Sequence, residues 1–295
     1  MNVEPAGTAL PDRSSAVAIV TTFHPEPGLI GRLTPILGQV GRVLIVDNGS
    51  AAAEQGEIRM LADRGEVDAL WNDANLGLAA ALDQGLGWAS DQGASWALLL
   101  DQDSWPKPGI VAEAARVIGL TGPSPVAALG AGVVGQDTGG PSGSAGWREE
   151  RAVITSGTFV SVEAWRALGG FRRDFFVDYV DLEFCLRARA AGYRILHSLR
   201  PTIRHAIGDP ERRRLLWRTV TATHHDRGRR YSITRNRVVV WRTYWRREPG
   251  FVAADVWGFF KELLKVALLE DDRRAKTRAI AAGIRDGLGV PRQPR

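Results

Sequence analysis

Short apolar runs alternate with segments of helical periodicity along roughly the first hundred residues. Four apolar runs predict buried strands, at 16–22, 42–46, 67–71 and 96–100. The segments between them repeat apolar residues three and four positions apart, which predicts helices at 29–37, 52–64 and 77–90. Because strands that alternate with helices are joined by crossovers, this order predicts an α/β fold with a Rossmann-like, mostly parallel central sheet flanked by helices.

The pattern is less regular after residue 105. Residues 121–146 are rich in Gly, Pro and Ser, which indicates long loops around a short strand-like run at 131–134. Helices are predicted at 110–120, 163–168, 180–191, 251–269 and from 271 towards the end, of which 251–269 is amphipathic. We therefore expect a flexible tail over 1–15, a domain over 16–247 with halves 16–105 and 106–247, and a helical extension over 248–295.

The strand at 96–100 ends in two carboxylates, Asp101 and Asp103. Ligands of parallel sheets bind beyond the carboxyl ends of the strands, and residues two apart on an extended chain point the same way. Two carboxylates that face one site, with room for water and phosphate oxygens, suit Mg²⁺ or Mn²⁺. Taken alone, Asp-x-Asp is also typical of a helix N-cap and a solvated turn, and both interpretations stay open here.

Polar residues follow the other predicted strands as well, at Thr21, at 47–50 and at 75–77. Because the carboxyl ends of parallel strands meet at one edge, these segments and the carboxylates predict a nucleotide site there. Residues 16–105, which hold these strands, contain neither Gly-x-Gly-x-x-Gly nor Gly-x-x-x-x-Gly-Lys. A dinucleotide dehydrogenase and a P-loop NTPase are therefore disfavoured.

Composition narrows the class of protein. The 295 residues are 44% hydrophobic and carry a net charge of +5, which is ordinary for a globular protein and favours phosphate-bearing partners. The single cysteine, Cys185, excludes an intramolecular disulfide and a cysteine-based zinc site. Residues 1–13 lack the regions of a signal peptide, and no apolar run approaches the roughly 18–20 residues that span a bilayer. We expect a cytoplasmic protein.

Two further segments carry candidate chemistry. Asp178 and Asp181 lie near the start of the helix at 180–191, where they are either functional or plain capping residues. Residues 204–247 hold thirteen arginines, no lysine and several interleaved aromatic residues. Such a segment favours phosphate recognition, and a solvated basic face is the alternative.

Taken together, these motifs resemble the family 2 glycosyltransferases of the GT-A fold, and within them the bacterial rhamnosyltransferases. The matching segments follow the family's order between residues 17 and 240 and include 46–50, 75–77, 99–104, 156–157, 169–171, 176–183, 204–208, 230–231 and 235–236. Asp-Gln-Asp-Ser at 101–104 followed by Val-Asp-Tyr-Val-Asp-x-Glu at 177–183 resembles the rhamnosyltransferase branch. Residues 16–105 would then bind the nucleotide sugar, and 106–247 would hold the acceptor.

The resemblance implies a role for each matching residue. Asp181 matches the catalytic base, with Glu183 as the runner-up. The metal would be Mg²⁺ or Mn²⁺, held by Asp103, Asp101 and His205. The nucleotide sugar would be bound by Thr21, Asp47, Asn75, Gly77, Asp101, Arg230, Tyr231 and Arg235, with Asn236 beside the diphosphate or acceptor. The acceptor side would include Ser156, Gly157, Asp178 and Glu183.

The resemblance also implies an activity. It implies an inverting, metal-dependent transfer of L-rhamnose from dTDP-L-rhamnose to a lipid-linked or cell-surface polysaccharide precursor, at the inner face of the cell membrane. UDP-galactofuranose, UDP-glucose and UDP-N-acetylhexosamine are alternative donors. We expect no nucleic-acid partner. A non-enzymatic protein that binds nucleic acid or a membrane surface is a remote alternative, which leaves the ordered carboxylates unexplained.

Overall fold

The computed structural model describes residues 9–135, 146–205, 211–215, 218–222, 227–269 and 272–291. The chain forms two compact units, which are treated separately below. The first comprises Met1–Phe176 and Val180–Ala206, and the second comprises Val177–Tyr179 and Ile207–Arg295. This grouping places residues 227–244, which we assigned to the catalytic half, with the C-terminal helices. The functional boundary at residue 247 stays a prediction.

The first unit is built on a nine-stranded sheet. Its strands are β1 (Ala16–Thr22), β2 (Val43–Asp47), β3 (Asp68–Trp71), β4 (Trp96–Asp101), β5 (Ser104–Pro106), β6 (Val126–Val133), β7 (Trp147–Glu149), β8 (Thr158–Ser161) and β9 (Arg194–His205). Their order is β3-β2-β1-β4-β8-β6-β9-β5, with β7 also paired to β9. The neighbours β3, β2, β1 and β4 run parallel, and the rest of the sheet is mixed, since β8 is antiparallel to β4 and β6 while β6 and β9 are parallel.

Helices cover this sheet. They are α1 (Leu29–Leu37), α2 (Gly56–Asp63), α3 (Leu78–Asp91), α4 (Ile110–Leu120), α5 (Val162–Ala167) and α6 (Val180–Ala190), with a short 3₁₀ helix at Ala52–Glu54. Every residue of β1, β2 and β6 is buried. Strands covered on both faces read as continuous apolar runs, which is why the first strands were visible in the sequence.

Several strands differ from the sequence-based expectation, and β5, β7 and β8 had no predicted counterpart. The run expected at 131–134 belongs to β6, which starts earlier and spans Val126–Val133. Its alanines and glycines gave a weak strand pattern, although all eight residues are buried. Strand β9 had no predicted counterpart, because its apolar residues are interrupted by Arg, His and Ser and its place is set by partners distant in sequence, β5, β6 and β7.

The second unit is mainly helical. It contains α7 (Arg227–Tyr244), α8 (Pro249–Leu269), α9 (Arg273–Gly289) and an antiparallel pair, β10 (Glu211–Leu215) with β11 (Arg218–Ala222). Phe259, Val266 and Ile280 form its buried apolar cluster. Gly283 and Gly287 let α9 approach α7 closely, since an added Cβ at either would lie 2.7 Å from a backbone oxygen of α7.

Among the helices that the structure describes, none has the length and apolar character required to cross a membrane.

Candidate functional site

The Asp-x-Asp segment lies at the carboxyl end of β4, as the sequence predicted. Asp101 is the last residue of β4 and is the register partner of Thr21 in β1. A two-residue turn then leads into β5. The hydroxyl of Ser104 accepts the backbone N–H of Asp101 at 3.0 Å, which closes the turn around Asp103. Asp101 and Asp103 are both partly exposed residues.

Strand β9 brings His205 to this turn. In the antiparallel pair of β5 and β9, Ser104 lies opposite His205, so the main chain of His205 runs beside the residue that follows Asp103. The side chain of His205 lies outside the described part of the structure. No group of three or more metal-ligating side chains occurs among the described residues. Two carboxylates still fit a Mg²⁺-type ion, which completes its coordination with water and substrate phosphates.

The loop at 154–157 connects this turn to Asp181. Ser156 Oγ lies 2.6 Å from Ser104 Oγ, and both side chains are buried. The backbone N–H of Thr155 donates to Asp181 Oδ2 at 3.1 Å, and that of Leu182 donates to Oδ1 at 2.8 Å. The two N–H groups orient the carboxylate at the start of α6, and the loop ties it to the Asp-x-Asp turn.

Gly157 allows the loop to pack this closely. Its φ of +80° is in the left-handed region, and its N–H donates to Leu99 O of β4 at 2.8 Å. An added Cβ would lie 2.9 Å from Ile203 Cδ1. Ser156 and Gly157 therefore hold the loop against β4 and the Asp-x-Asp turn. Their contact with the acceptor stays a prediction.

Glu183 occupies a different environment from Asp181. Its side chain is buried and bonds Arg187, whose Nη2 lies 2.9 Å from Glu183 Oε2. Arg187 also donates to the carbonyl oxygen of Gly170 at 2.8 Å. A buried, paired carboxylate is poorly placed to reach an acceptor hydroxyl. This position favours a structural part for Glu183 over the acceptor-side role and over the part of runner-up base.

Asp47, predicted to bind the base, ends β2 and is fully buried. Its oxygens accept hydrogen bonds from Thr22 Oγ1 at 3.0 Å, from the Ser50 N–H at 2.9 Å and from Gln55 Nε2 at 3.1 Å. These bonds hold the loop after β2. Thr21, in the neighbouring strand β1, lies opposite Val46 and is almost fully buried. Direct contact of either residue with the donor base stays a prediction.

Asn48, which had no predicted role, joins the loops after β2 and β3. Its Nδ2 donates to Asn75 Oδ1 at 3.0 Å, and its Oδ1 accepts the N–H of Leu76 at 3.0 Å. It also accepts Asn72 Nδ2 at 3.0 Å. The signal was present, since an amide residue inside a strand-end motif that also contains Gly is typical of a side chain that bonds nearby backbone.

The backbone conformation and close packing at Gly77, one of the predicted nucleotide-binding residues, require a glycine. Its φ is +86°, and an added Cβ would lie 2.6 Å from Phe176 O. The next residue, Leu78, donates its N–H to the same oxygen at 2.7 Å. Asn75 closes the turn by accepting the Gly77 N–H at 2.9 Å. The structure therefore brings Asn75 and Gly77 together with Asn48 at the edge of the sheet that carries the Asp-x-Asp turn.

The Gly169-Gly170-Phe171 motif packs against the buried side chain of Asp83 in α3. Buried Asp83 accepts the N–H of Phe171 and the indole N–H of Trp165, each at 2.8 Å. An added Cβ at Gly170 would lie 2.8 Å from Asp83 Oδ1. The motif thus marks a close approach between α3 and the segment after α5.

The remaining predicted residues belong to the second unit. Asp178 has a strained φ of +60° and pairs bidentately with Arg229, both bonds being 3.0 Å. Asn236 Nδ2 donates to the carbonyl oxygens of Val177 and Asp178 at 2.9 and 3.0 Å. Two residues of α7, Arg229 and Asn236, therefore hold the segment that precedes α6 in the chain.

The arginines and tyrosine predicted at the diphosphate have partners within the second unit. Arg230 is buried against Glu262 of α8, Tyr231 donates its hydroxyl to Asp286 of α9 at 2.9 Å, and Arg235 donates to Asn236 Oδ1 at 2.9 Å. Separating a buried guanidinium from its carboxylate partner leaves an unpaired charge in the protein interior, which is energetically unfavourable. This arrangement favours a structural part for Arg230, and the contacts of Tyr231 and Arg235 with the donor stay predictions.

Tyr179 is a further residue that the sequence analysis did not single out. Its hydroxyl accepts from Arg237 Nε at 2.6 Å and lies 3.1 Å from both oxygens of Asp255. Burial raises the pKa of the phenol well above its ordinary value, and the negative charge of Asp255 acts in the same direction. Its φ of +65° follows that of Asp178, so two adjacent non-glycine residues are left-handed. Such strain persists only where neighbouring groups impose it.

The chain is similar in sequence to known glycosyltransferases. Residues 17–142 match the model of glycosyl transferase family 2. The dTDP-rhamnosyl transferase RfbF of Shigella flexneri is 26% identical over 214 residues, which cover 66% of this chain and 70% of RfbF.

Solved structures share the fold at low sequence identity. The mannosyltransferase PcManGT from Pyrobaculum calidifontis, in complex with GDP-Man and Mn²⁺, has a TM-score of 0.58 and 18% identity over 98% of this chain and 79% of its own. TarS 1–349 of S. aureus, in complex with UDP-GlcNAc, has a TM-score of 0.51 and 13% identity over 94% of this chain and 74% of its own. The predicted α/β fold with its helical C-terminal region is confirmed, and the remote non-enzymatic interpretation is set aside. These comparisons support a family 2 glycosyltransferase of the GT-A fold, with the family match lying in residues 17–142.

Proposed function

We propose that this enzyme transfers L-rhamnose from dTDP-L-rhamnose to a lipid-linked or cell-surface polysaccharide precursor, with inversion at the anomeric carbon. The observation that carries the mechanism is the position of Asp181, whose carboxylate is held by the N–H of Thr155 in the loop bonded to the Asp-x-Asp turn. The similarity to a dTDP-rhamnosyl transferase supports the donor.

The donor diphosphate would lie at the carboxyl end of β4, against Asp101 and Asp103. These two carboxylates would hold Mg²⁺ or Mn²⁺, with His205 beside them. A divalent cation there offsets the negative charge that the leaving nucleoside diphosphate gains. The thymidine would enter the edge formed by Thr21, Asp47, Asn75 and Gly77, where Asn48 fixes the two loops to each other.

Asp181 would take the proton of the acceptor hydroxyl while that oxygen bonds the anomeric carbon. The bond between the anomeric carbon and the diphosphate oxygen breaks on the opposite face, and dTDP leaves with its electron pair. A single displacement of this kind needs one base and no covalent enzyme intermediate. The hydrogen bonds from Thr155 and Leu182 to its two oxygens would orient the Asp181 carboxylate for this role.

The acceptor would be carried on a polyprenyl diphosphate at the inner face of the cell membrane, with the enzyme as a peripheral protein in the cytoplasm. A UDP-sugar donor is the alternative, since TarS shares the fold and was captured with UDP-GlcNAc. Both donors use the same mechanism and differ in the base and sugar that the loops accept.

The test is thermal-shift binding of the full chain against dTDP-L-rhamnose, UDP-galactofuranose, UDP-glucose and UDP-N-acetylglucosamine, each with and without Mn²⁺. A ligand that binds the folded state raises Tm by mass action. We expect the largest shift with dTDP-L-rhamnose plus Mn²⁺. Asp103→Asn should abolish the Mn²⁺-dependent part of that shift, while the matched change Asp73→Asn, in the loop after β3, should keep it.

A larger shift with a UDP-sugar would overturn the rhamnose donor and keep the family mechanism. An Asp103→Asn enzyme that retains the full Mn²⁺-dependent shift would overturn the metal assignment. Transfer of radiolabelled rhamnose to a membrane lipid extract then tests the acceptor class, and label that remains entirely in the aqueous phase would contradict a lipid-linked acceptor.

A further inference from the structure

Helix α8 is apolar on two opposite faces, and only one of them is packed against other residues that the structure describes. Phe259 and Val266 are buried in the cluster with Ile280 of α9. On the other face, Trp257 is 64% exposed, Phe260 58% and Leu264 60%. At 3.6 residues per turn, positions 257, 260 and 264 form one stripe along the helix. We call this stripe, together with Lys261 and Lys265, the exposed face of α8.

The charges of α8 are separated between the two faces. Its two carboxylates point inwards, where Asp255 accepts the indole N–H of Trp241 at 2.7 Å and Glu262 accepts Arg237 Nη1 at 2.8 Å. Its two lysines, Lys261 and Lys265, are exposed and lie along one edge of the apolar stripe. The exposed face therefore combines large apolar side chains with positive charge only.

This combination selects among the surfaces that could cover it. A second copy of the same face would bring lysines towards lysines with no carboxylate of α8 between them, which disfavours self-association. An anionic bilayer offers phosphates to the lysines and an apolar boundary to the aromatic side chains. Lys261 Nζ lies 5.6 Å from the centre of the Trp257 ring, so cation and indole are already grouped as at a membrane interface.

We propose that the exposed face of α8 docks the enzyme on an anionic phospholipid bilayer, with the helix lying in the plane of the interface. Trp257, Phe260 and Leu264 enter the boundary between headgroups and acyl chains, and Lys261 and Lys265 contact lipid phosphates. This docking proposal depends on the proposed function only in the choice of membrane, because that membrane is the one that carries the lipid-linked acceptor.

The test is co-sedimentation of the full chain with vesicles of phosphatidylcholine containing about one third phosphatidylglycerol, and with vesicles of phosphatidylcholine alone. We expect binding to the mixed vesicles that weakens as salt is raised. Lys261→Gln/Lys265→Gln should weaken it about 30-fold, from roughly a fivefold contribution per lysine. Phe260→Ser/Leu264→Ser should weaken it by at least about 30-fold.

Matched variants at other exposed positions are the controls. Leu288→Ser removes an exposed apolar side chain of α9, and Arg13→Gln/Arg64→Gln removes two exposed charges of the first unit. Both should bind the mixed vesicles like the wild type. Equal binding by all variants, or none by the wild type, would overturn the proposal. So would a wild-type dimer in light scattering that Phe260→Ser/Leu264→Ser converts to a monomer, since a second copy would then cover the face.

The proposed function is tested independently of the docking surface. All of these variants should keep the wild-type thermal shift with dTDP-L-rhamnose, because none of the changed residues lies in the predicted donor site. If the protein binds vesicles but shows no thermal shift with any nucleotide sugar, the docking proposal stands and the proposed donor is wrong. If it shows the expected thermal shift but does not bind vesicles, the donor stands and the docking proposal is wrong.

Discussion

Ser104 Oγ and Ser156 Oγ lie 2.6 Å apart in the interior, between the Asp-x-Asp turn and the loop that holds Asp181. Ser104 also accepts the N–H of Asp101, and the residue before Ser156 donates its N–H to Asp181. One side-chain hydrogen bond thus links the carboxylates proposed for the donor to the carboxylate proposed for the acceptor. The spacing between these groups matters because catalytic geometry tolerates little displacement.

Removal of either serine hydroxyl should therefore loosen both sides of the site. We expect Ser104→Ala and Ser156→Ala each to lower the free energy of unfolding by about 1–2 kcal/mol and to reduce transfer. The double variant should lose clearly less than the sum, since both changes remove the same bond. Urea unfolding of the four proteins measures this coupling. Strictly additive losses would show that the two hydroxyls do not act together.

Asp181→Asn should remove transfer and leave donor binding in place. The amide keeps the size of the carboxylate but cannot take a proton, so we expect the transfer rate to fall by about 10²–10⁴-fold. The thermal shift with the donor should persist. Transfer at the wild-type rate would contradict the assignment of the base.

The matched variant at position 183 should show the opposite effect. Glu183→Gln leaves the partly buried guanidinium of Arg187 without its carboxylate, so we expect the free energy of unfolding to fall by about 1–3 kcal/mol. Transfer per folded molecule should stay within about threefold of the wild type. A large loss of transfer with unchanged stability would return Glu183 to the catalytic site.

Gly77→Ala should destabilise the loop after β3. The new Cβ would meet Phe176 O at 2.6 Å in a left-handed conformation, so we expect a cost of about 2–4 kcal/mol. Gly87→Ala is the control, because this helical glycine in α3 has open space around it and should gain about 0.5–1 kcal/mol. Thermal unfolding of both variants measures the difference, and equal effects would exclude the steric explanation.

Stability should depend on pH through Glu113 of α4. Burial opposes its ionisation, but hydrogen bonds from Arg116 and Ser198 and the charges of Arg116 and Arg200 hold the pKa of this carboxyl below its usual value of 4.5. The ionised form therefore stabilises the fold above pH 4.5, and this contribution is lost as the pH falls from there towards the folded-state pKa.

Glu113→Gln should accordingly unfold more easily than the wild type at pH 7, by about 1–3 kcal/mol, and the gap should narrow below pH 4.5. Urea unfolding at several pH values measures it. Glu26→Gln, at an exposed position, should follow the wild type throughout. A gap that stays constant down to acid pH would mean that the ionisation of Glu113 contributes nothing.

The sequence alone determined the first half of the sheet and the position of the Asp-x-Asp segment at the end of β4. Strands β1, β2 and β4 are continuous apolar runs because both of their faces are covered, and the polar residues that follow these strands meet at one edge. Asp101 and Asp103 could therefore be placed from local pattern alone. The helices α8 and α9 could also be predicted from local pattern, because their apolar residues recur with helical periodicity.

Only the tertiary structure decided what depends on partners distant in the chain. Asp181 and Glu183 stand two residues apart in one motif, yet the first meets the N–H of Thr155 and the second is buried against Arg187. Residues that follow one another on a helix point to different sides, so their environments differ although their sequence context is the same. The pairing that brings His205 beside Ser104, and the choice of which apolar face of α8 is packed, arise from such long-range contacts, which a local pattern does not encode.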